Sequence, residues 1–517
     1  MSSTANRVIK NTGFLYAKMG ITMFVSLYTT RLILNSLGAS DFGIFNIVGG
    51  AIAMLGFLNA AMASATQRFM SYSEGEGDKE KQKSIFNVSF ILHIGISFVV
   101  GIALLIAGYF FFNGILNIPP DRVFAAKVVY GSLIVSTMFT VMTVPYDAAM
   151  NAHENMKYYA IVGIFESLLK LAVAFVCVYT SYDKLIVYGF LMACIPLLTL
   201  SIMRIYCHRH YEECIIAPIK YWQKGLMKEM TSFAGWNLLN SMSGIVVQYG
   251  LGIIVNHFFG VLLNAAQGIA NQVSGVLMTF SQNALKSINP IIVKSEGKHD
   301  KNKVLYVSML GCRISFIIFG LFTFPFLFCM SNILNLWLSN VPDWAVLFCS
   351  LQLIRILIEQ LTLSLRTAIS ANGKIRNFNL SRTISNSLPI IILPILFHYN
   401  YEPYWLYIVW IFCWSIVGGI LDVYYSMKLV GLSLQLYLKD VFLPSIIVSI
   451  ITILAGFGLH FIQELLRIES TLINLGIKTI GIVLCYFLAA WNFILYRREK
   501  EIIQAIAQKF LIKISRR

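Results

Sequence analysis

A stripe of charged residues lies within an apolar stretch at residues 343–370. Arg355, Glu359, Thr362 and Arg366 recur at the spacing of one helix face, and Gln352 extends the stripe. A charge at the bilayer centre costs about 2.5–3.5 kcal/mol, so this face must meet a cavity or a partner. The stripe predicts a basic lining for an anionic ligand, or an Arg355–Glu359 pair that fixes the helix to a neighbour. Arg366 has the further alternative of reaching the inner membrane surface.

Three more basic residues lie within apolar stretches. Lys18 and Arg31 fall in residues 12–36, and Arg313 falls well inside residues 304–330. Each is a candidate cavity residue, although Lys18 and Arg31 could instead extend to the two membrane surfaces. Asp422, near the end of residues 403–427, is expected at the membrane interface.

Amide side chains lie within two neighbouring apolar stretches. Asn237, Asn240 and Gln248 lie within residues 232–256, and Gln267 and Asn271 within residues 261–288. Amides can hydrogen-bond between helices in lipid. They are also suited to binding the many hydroxyl groups of a sugar. Both interpretations stay open from the residues alone.

The elements that must position these residues are membrane helices. Of the 517 residues, 57% are hydrophobic and 12% are charged, against about 25% charged in soluble domains. Apolar runs long enough to span a bilayer recur along the whole chain, and no polar stretch is long enough to fold alone. We therefore predict an all-α polytopic membrane protein with about fourteen transmembrane helices. Their approximate ranges are 12–36, 42–66, 84–112, 123–145, 158–180, 184–206, 232–256, 261–288, 304–330, 343–370, 380–398, 403–427, 439–463 and 472–495.

The net charge of +16 is explained by Lys and Arg residues in the predicted loops. With the N-terminus placed in the cytoplasm, most of the 40 Lys and Arg residues fall in cytoplasmic segments, as the positive-inside rule expects. This predicts cytoplasmic N- and C-termini and makes a nucleic-acid partner unnecessary.

An internal repeat divides the chain. An offset of 222 residues maps Gly38 onto Gly260, Ser73-Glu74-Gly75 onto Ser295-Glu296-Gly297, and Asp78-Lys79 onto Asp300-Lys301. Six helices per copy give both copies the same orientation, so we predict two homologous six-helix lobes in a parallel repeat plus two extra C-terminal helices. The predicted boundaries are 1–206 for the N-lobe, 207–230 for a cytoplasmic linker that ends in a basic amphipathic helix on the membrane surface, 231–427 for the C-lobe, 428–496 for the two extra helices and 497–517 for a basic tail.

Sequence motifs for enzyme chemistry are missing. The chain has no phosphate-binding Gly-x-x-x-x-Gly-Lys-Ser/Thr loop, no His-Glu-x-x-His and no Gly-x-Ser-x-Gly. The polar run Cys207–Cys214 has metal-capable side chains, but its spacing matches no standard zinc site and favours a solvated linker. We predict no catalytic residue, no metal and no cofactor.

Several runs resemble a known family. LGASDFGIFNIVGG (residues 37–50), NAAMASATQRFMSYSEGEG (59–77), GWNLLNSMSG (235–244), NHFFGVLLNAAQGIANQVSG (256–275) and NPIIVKSEG (289–297) resemble the polysaccharide-transport branch of the multidrug/oligosaccharidyl-lipid/polysaccharide flippase superfamily. The resemblance implies two lobes around a central cavity that opens alternately to each side of a bacterial inner membrane. It also implies export of an undecaprenyl-diphosphate-linked oligosaccharide, such as an O-antigen, capsule or exopolysaccharide unit.

The resemblance sets the expected partners and the competing functions. The partners would be the lipid-linked oligosaccharide, membrane lipids and the polymerase or glycosyltransferase machinery of polysaccharide synthesis. The basic residues Arg355, Arg313, Lys18 and Arg31 would meet the diphosphate. One competing function is a cation-coupled multidrug antiporter of the same superfamily, which the scarcity of embedded carboxylates disfavours. The other is a non-transporting membrane assembly subunit, which needs no polar stripe.

Overall fold

The described part of the chain consists of helices and their connections. The computed structural model describes residues 2–53, 56–115, 118–338, 340–465, 471–497, 499–501 and 504. The first nine helices are α1 (Ser2–Ala53), α2 (Gly56–Glu76), α3 (Lys79–Phe110), α4 (Val123–Ala152), α5 (Met156–Tyr179), α6 (Lys184–His210), α7 (Pro218–Tyr221), α8 (Lys224–Phe259) and α9 (Val261–Gly297).

The remaining helices are α10 (Lys301–Trp337), α11 (Ala345–Gln360), α12 (Leu363–Asn372), α13 (Arg376–His398), α14 (Trp405–Trp410), α15 (Gly418–Val430), α16 (Leu434–Tyr437), α17 (Leu443–Leu465) and α18 (Thr471–Phe493). A π-helical segment, Ile411–Val417, joins α14 to α15, and another, Leu438–Phe442, joins α16 to α17.

The lengths and hydropathies of these helices make the chain a multi-pass membrane protein. Within the described residues, ten helical stretches are long and apolar enough to cross a bilayer, or eleven if the bent pair α11 and α12 is one span. The total of fourteen spans therefore stays a prediction. Large apolar side chains such as Phe24, Tyr109 and Leu454 are exposed on the protein surface, as residues in contact with lipid would be.

The chain packs as two compact units. The first contains Met1–Lys10, Met242–Ile292 and His299–Arg517, and the second contains Asn11–Ser241 and Val293–Lys298. In the first unit, a large apolar core includes Phe319, Phe348, Tyr407 and Tyr486. The hydroxyl of Tyr486 on α18 donates to the backbone oxygen of Phe316 at 3.0 Å, so the predicted extra C-terminal helices pack against α10 within this unit.

Local geometry recurs at the repeated positions. Gly38 has φ +77°, where it interrupts α1, and Gly260 has φ +80° between α8 and α9. The glycine type is required there because other residues rarely adopt positive φ. The carboxylate of Asp78 caps α3 by accepting from the backbone N–H of Lys81 at 2.9 Å, and Asp300 caps α10 through Lys303 at 3.1 Å. The same sequence signals thus produce the same turns in both copies.

The linker differs from the prediction. The basic segment predicted to form a separate surface helix is instead the first part of α8, which begins at Lys224 and continues to Phe259. Only the four-residue helix α7 stands apart. No glycine or proline separates Met230 from the apolar run after it, so the helix propagates through both. Most of the basic tail predicted at residues 497–517 lies outside the described residues.

A bridging arginine ties three elements of the second unit together. Arg122, at the start of α4, donates to Asp41 of α1 at 2.8 Å and to Asp183, which caps α6, at 2.6 Å. The hydrogen bond from Arg122 is the main reason that the pKa of Asp183 lies below its ordinary value. A carboxylate with a lowered pKa stabilises the fold above the pKa of the unfolded chain, and that stabilisation is lost as the pH falls.

We expect Arg122→Gln to lower the free energy of unfolding by about 1–2 kcal/mol, because charge-assisted hydrogen bonds to two carboxylates are lost at a partly exposed site. Thermal unfolding in detergent would measure the change. The difference from the unaltered protein should shrink below about pH 4, as Asp183 is protonated in both. Asp121→Asn, at the exposed neighbouring residue, is the control. An Arg122→Gln protein as stable as this control would contradict the prediction.

Candidate functional site

A polar network in the first unit joins residues predicted from two different helices. Arg355 on α11 donates through Nη1 to Glu359 at 2.6 Å and through Nε to Gln352 at 3.0 Å. Gln352 donates in turn to Asn271 on α9 at 3.3 Å. The amide face of α9 and the first part of the predicted stripe therefore meet, and Ser274 lies 3.4 Å from the same Gln352 nitrogen.

Aromatic rings surround the guanidinium of Arg355. Its central carbon lies 4.4 Å from the ring centroid of Trp410 and 5.8 Å from that of Trp414. Ser415, in the π-helical segment Ile411–Val417, donates to the backbone oxygen of Arg355 at 3.0 Å. The π-helical turn brings these side chains onto Arg355, and segments of this kind are frequent at functional sites. Trp410 and Trp414 are far from Arg355 in the sequence, so sequence analysis did not predict that they contact it.

A second cluster forms around Asp422, which is completely buried. One of its oxygens accepts from Thr362 and from Arg366, each at 2.8 Å, and the other lies 3.8 Å from Arg382. The position of Asp422 at the membrane interface stays a prediction, since burial within the protein does not give its depth in a bilayer. The side chain points into the protein, where α12 and α13 supply two arginines. We name Thr362, Arg366, Arg382 and Asp422 the Asp422 cluster.

The predicted continuous helix over residues 343–370 is broken. α11 ends at Gln360 and α12 begins at Leu363, with a bend of 43° between them. The four stripe residues consequently do not form one straight row, and Arg355 and Arg366 join separate networks. Local sequence gives no glycine or proline to mark the break. Thr362 lies at the bend and donates to Asp422, so a tertiary contact replaces regular helix geometry here.

Arg313 lies away from both networks. It is almost completely buried on α10, where Nη2 donates to Glu499 at 2.6 Å and Nη1 to the backbone oxygen of Ile494 at 3.3 Å. The ring of Tyr496 lies 4.3 Å from its guanidinium. Arg313 thus holds the segment that follows α18 in the first unit.

Lys18 and Arg31 occupy different surroundings in the second unit. Lys18 faces a cavity of about 170 Å³, and its Nζ lies 4.2 Å from the ring centroid of Tyr159. The cavity also has carboxylate and hydroxyl groups in its lining, from Asp147, Glu166, Thr140, Thr143 and Thr199. Arg31 is exposed on the surface of α1. The two residues therefore do not share a site within this unit.

The remaining predicted amides are dispersed. Asn237 and Asn240 are half-buried on α8, and Gln248 is exposed on the same helix. Gln267 on α9 is buried, and its Nε2 has no hydrogen-bond partner among the described residues. Among the described residues, Asn271 is joined to the Arg355 network through its hydrogen bond from Gln352.

Metal ligands do not cluster in the part of the chain that the structure describes. No group of three or more His, Cys, Asp or Glu side chains there could hold an ion. Cys207 and Cys214, in the polar run considered from sequence, are both buried.

Comparisons with known proteins agree on the fold. The MatE family model matches residues 17–176. A solved structure of a MATE protein in the bent conformation has a TM-score of 0.71 at 13% identity, covering 83% of this chain and 97% of the other. An outward-facing multidrug resistance MATE family transporter of the MOP superfamily has a TM-score of 0.70 at 13% identity, covering 83% and 96%.

A third structural neighbour is a MOP superfamily transporter from Pyrococcus furiosus Vc1 (DSM3638). It has a TM-score of 0.69 at 13% identity, with 83% of this chain and 97% of the other covered. That protein is described as having a binding pocket of reverse polarity that suggests a different function. No curated protein sequence matches this chain.

The helices and the structural neighbours define a multi-pass membrane protein with the fold of MATE transporters. The family model matches about a third of the chain, and the solved structures share its fold at 13% identity, so the comparisons establish the fold.

The Asp422 cluster gives a stability prediction. Asp422→Asn leaves Arg366 and Arg382 without their shared counterion, and breaking a buried ion pair from one side costs about 3–5 kcal/mol. We expect a correspondingly lower free energy of unfolding, measured by thermal or denaturant unfolding in detergent. The double variant Arg382→Gln/Asp422→Asn should recover part of the loss. Asp343→Asn, at an exposed carboxylate, is the control, and equal stability of the two single variants would exclude a stabilising role for the cluster.

Proposed function

We propose that this chain is a flippase that exports an undecaprenyl-diphosphate-linked oligosaccharide across the bacterial cytoplasmic membrane by alternating access. The observation that carries the proposal is the charge of the Asp422 cluster. Two guanidinium groups share one carboxylate, so the cluster holds one positive charge in excess. An uncompensated charge in a membrane protein interior is costly unless a ligand or partner neutralises it, and a diphosphate is such a ligand.

Arg366 is the best candidate for direct contact with the anion. About a quarter of its side chain is exposed, whereas Arg382 is almost fully buried. Its Nε donates to Asp422, and its Nη2 is buried with no hydrogen-bond partner among the described residues. In this proposal a phosphate oxygen that enters the cluster accepts a charge-assisted hydrogen bond from this buried Nη2. The Arg355–Glu359 pair is neutral as a whole, so its contribution to anion binding is secondary.

The rest of the cargo has separate requirements. The glycan needs neutral donors and acceptors, which Gln248, Gln267 and Asn271 of the first unit supply in this proposal. The polyprenyl chain can stay in lipid while the diphosphate and sugars pass through the protein. Rocking of the two repeats would then expose the bound head group to either side.

The polarity argument is compatible with the fold. The Pyrococcus furiosus neighbour is described as having a pocket of reverse polarity, so proteins of this fold differ in the charge that their pockets present. Partners among polysaccharide polymerases and glycosyltransferases, and the orientation with cytoplasmic termini, belong to the same proposal.

A multidrug antiporter is the second candidate. The observation that favours it is that one structural neighbour is a multidrug resistance MATE family transporter. A cationic drug requires carboxylates that are available for binding, and Glu359 and Asp422 are both paired with arginines. The charge of the described clusters therefore favours an anionic cargo. A membrane assembly subunit remains the third alternative, and no contact in the structure favours it.

The first test compares one single substitution with one pair of charge-removing substitutions in a transport assay. Arg366→Gln removes the excess charge and leaves Arg382 and Asp422 as a neutral pair, so the protein should fold. We expect at least about a tenfold loss in translocation of an undecaprenyl-diphosphate-linked oligosaccharide in proteoliposomes, the equivalent of one charged hydrogen bond. The matched control is Arg313→Gln/Glu499→Gln, which neutralises a buried pair of similar geometry elsewhere in the same unit.

The outcomes separate the candidates. Selective loss in Arg366→Gln supports the flippase and its anion site. Full activity in that variant would refute the role of Arg366. Absence of oligosaccharide translocation by the unaltered protein, together with efflux of cationic dyes, would establish the multidrug alternative. Deletion of the gene should also cause one undecaprenyl-diphosphate glycan to accumulate, which mass spectrometry of extracted lipids would detect.

A further inference from the structure

The two copies of the repeated tripeptide meet within the second unit. Ser73-Glu74-Gly75 lies in the last turns of α2, and Ser295-Glu296-Gly297 ends α9. The end of α9, Val293–Lys298, belongs to the second unit, whereas the preceding part of the same helix belongs to the first. The final turn of α9 therefore packs with a different set of residues from the rest of the helix.

The contact is symmetric and depends on glycine. A Cβ atom at Gly75 would collide with the backbone oxygen of Lys294, and a Cβ atom at Gly297 would collide with that of Tyr72. The 222-residue offset that maps Gly75 onto Gly297 also maps Tyr72 onto Lys294. Each glycine thus meets the repeat equivalent of the residue that its counterpart meets. Any side chain at either position must push the two backbones apart.

Ionic contacts surround this backbone contact. The carboxylate of Glu74 lies 3.4 Å from Lys294 Nζ and 3.6 Å from His153 Nδ1, and it accepts from Gln82 at 2.6 Å. Lys294 also lies 3.7 Å from Glu154. Glu74 therefore links the end of α9 to α3 and to the turn between α4 and α5.

Glu74 is held in its charged form. Burial alone would raise its pKa, but the hydrogen bond from Gln82 and the charges of His153, Lys294 and Lys79 keep the pKa of Glu74 below its ordinary value. The carboxylate is consequently available to Lys294 throughout the physiological pH range.

The two parts of α9 are attached by different forces. Before Val293, α9 packs into an apolar cluster of the first unit through Leu285, Ile288, Ile291 and Ile292. After that point it is attached by the glycine contact, by the Glu74–Lys294 pair, whose side chains are 15% and 20% exposed, and by the buried partner Glu154. Water can replace partly exposed ionic partners at a small cost, whereas exposing an apolar cluster costs about 25 cal/mol per Å². The end of α9 is therefore the more readily detached part.

We propose that Tyr72, Glu74, Gly75, Lys294 and Gly297 form a latch that closes one side of the transporter and releases in each transport cycle. Loop charges predict that this side is cytoplasmic. Closure needs the backbones of α2 and α9 in direct contact, with the Glu74–Lys294 pair holding them there. On release, Val293–Lys298 leaves the second unit and moves with the rest of α9. The inference does not depend on the nature of the cargo.

Hydrogen–deuterium exchange on the purified full chain tests the glycine contact. Gly75→Ala and Gly297→Ala should each raise amide exchange in residues 70–76 and 292–298 at least about fivefold, with other helices unchanged. The matched control is Gly225→Ala, at an exposed glycine near the start of α8 where an added Cβ meets no atom within 4 Å. Exchange in both segments equal to that of the control would overturn the proposal. So would an increase spread over the whole chain, since that would show general destabilisation.

A charge-neutralising cycle tests the ionic part without altering the backbone. Glu74→Gln and Lys294→Gln should each accelerate exchange in residues 292–298, and the double variant should have less than the sum of the two effects, because both remove the Glu74–Lys294 interaction although each also loses a partner of its own. Fully additive effects would show that the two residues act independently and would overturn the latch. Both readouts measure closure alone, so they remain decisive whether oligosaccharide or dye is the cargo.

Discussion

A charge inside a membrane protein must find its counterion within the protein, because lipid provides neither water nor ions. Asp422 shows how strongly this constraint acts on the first unit. Its carboxylate is completely buried, accepts hydrogen bonds from Thr362 and Arg366, and lies close to the guanidinium of Arg382. One side chain therefore connects α12, α13 and α15. Replacing such a set by apolar residues can be neutral for stability, whereas removing a single partner is costly. The cluster therefore fixes the arrangement of these helices more than it adds to their stability.

The bend between α11 and α12 follows from the same constraint. A straight helix would place Arg355 and Arg366 on one face, where two cations would share Glu359. With the 43° bend, Arg355 keeps Glu359 and Arg366 reaches Asp422. The arrangement leaves a neutral pair near Trp410 and Trp414 and a cluster with excess positive charge. It is this division, rather than the number of arginines, that makes Arg366 the better candidate for an anionic ligand.

Much of the fold was predictable because its signals are local. Apolar runs located most of the helices, although α1, α2 and α9 extend well beyond the predicted ends. The repeat paired Gly38 with Gly260 and Asp78 with Asp300, and the members of each pair have matching backbone breaks or caps in the structure. The charge partners were less predictable, since Arg366 and Asp422 are 56 residues apart and no local pattern relates them. Arg382 lies near the start of the predicted helix at residues 380–398, and nothing in the local sequence relates it to Asp422, against which it is buried. Sequence periodicity shows which residues share one face of a helix, but only the packing of the helices determines what that face contacts.

The two ionic systems differ in how easily they can be broken. Both partners of the Glu74–Lys294 pair at the end of α9 are partly exposed, so water can replace either partner during a conformational change at a small cost. In the Asp422 cluster the carboxylate itself is completely buried, so separating it from its arginines would leave a buried charge without a partner, which costs several kcal/mol. A transport cycle driven by modest binding energies should therefore open the first system and preserve the second. The buried cluster would then present the same positive charge to its ligand in every state, while the glycine contact and its ion pairs form and break.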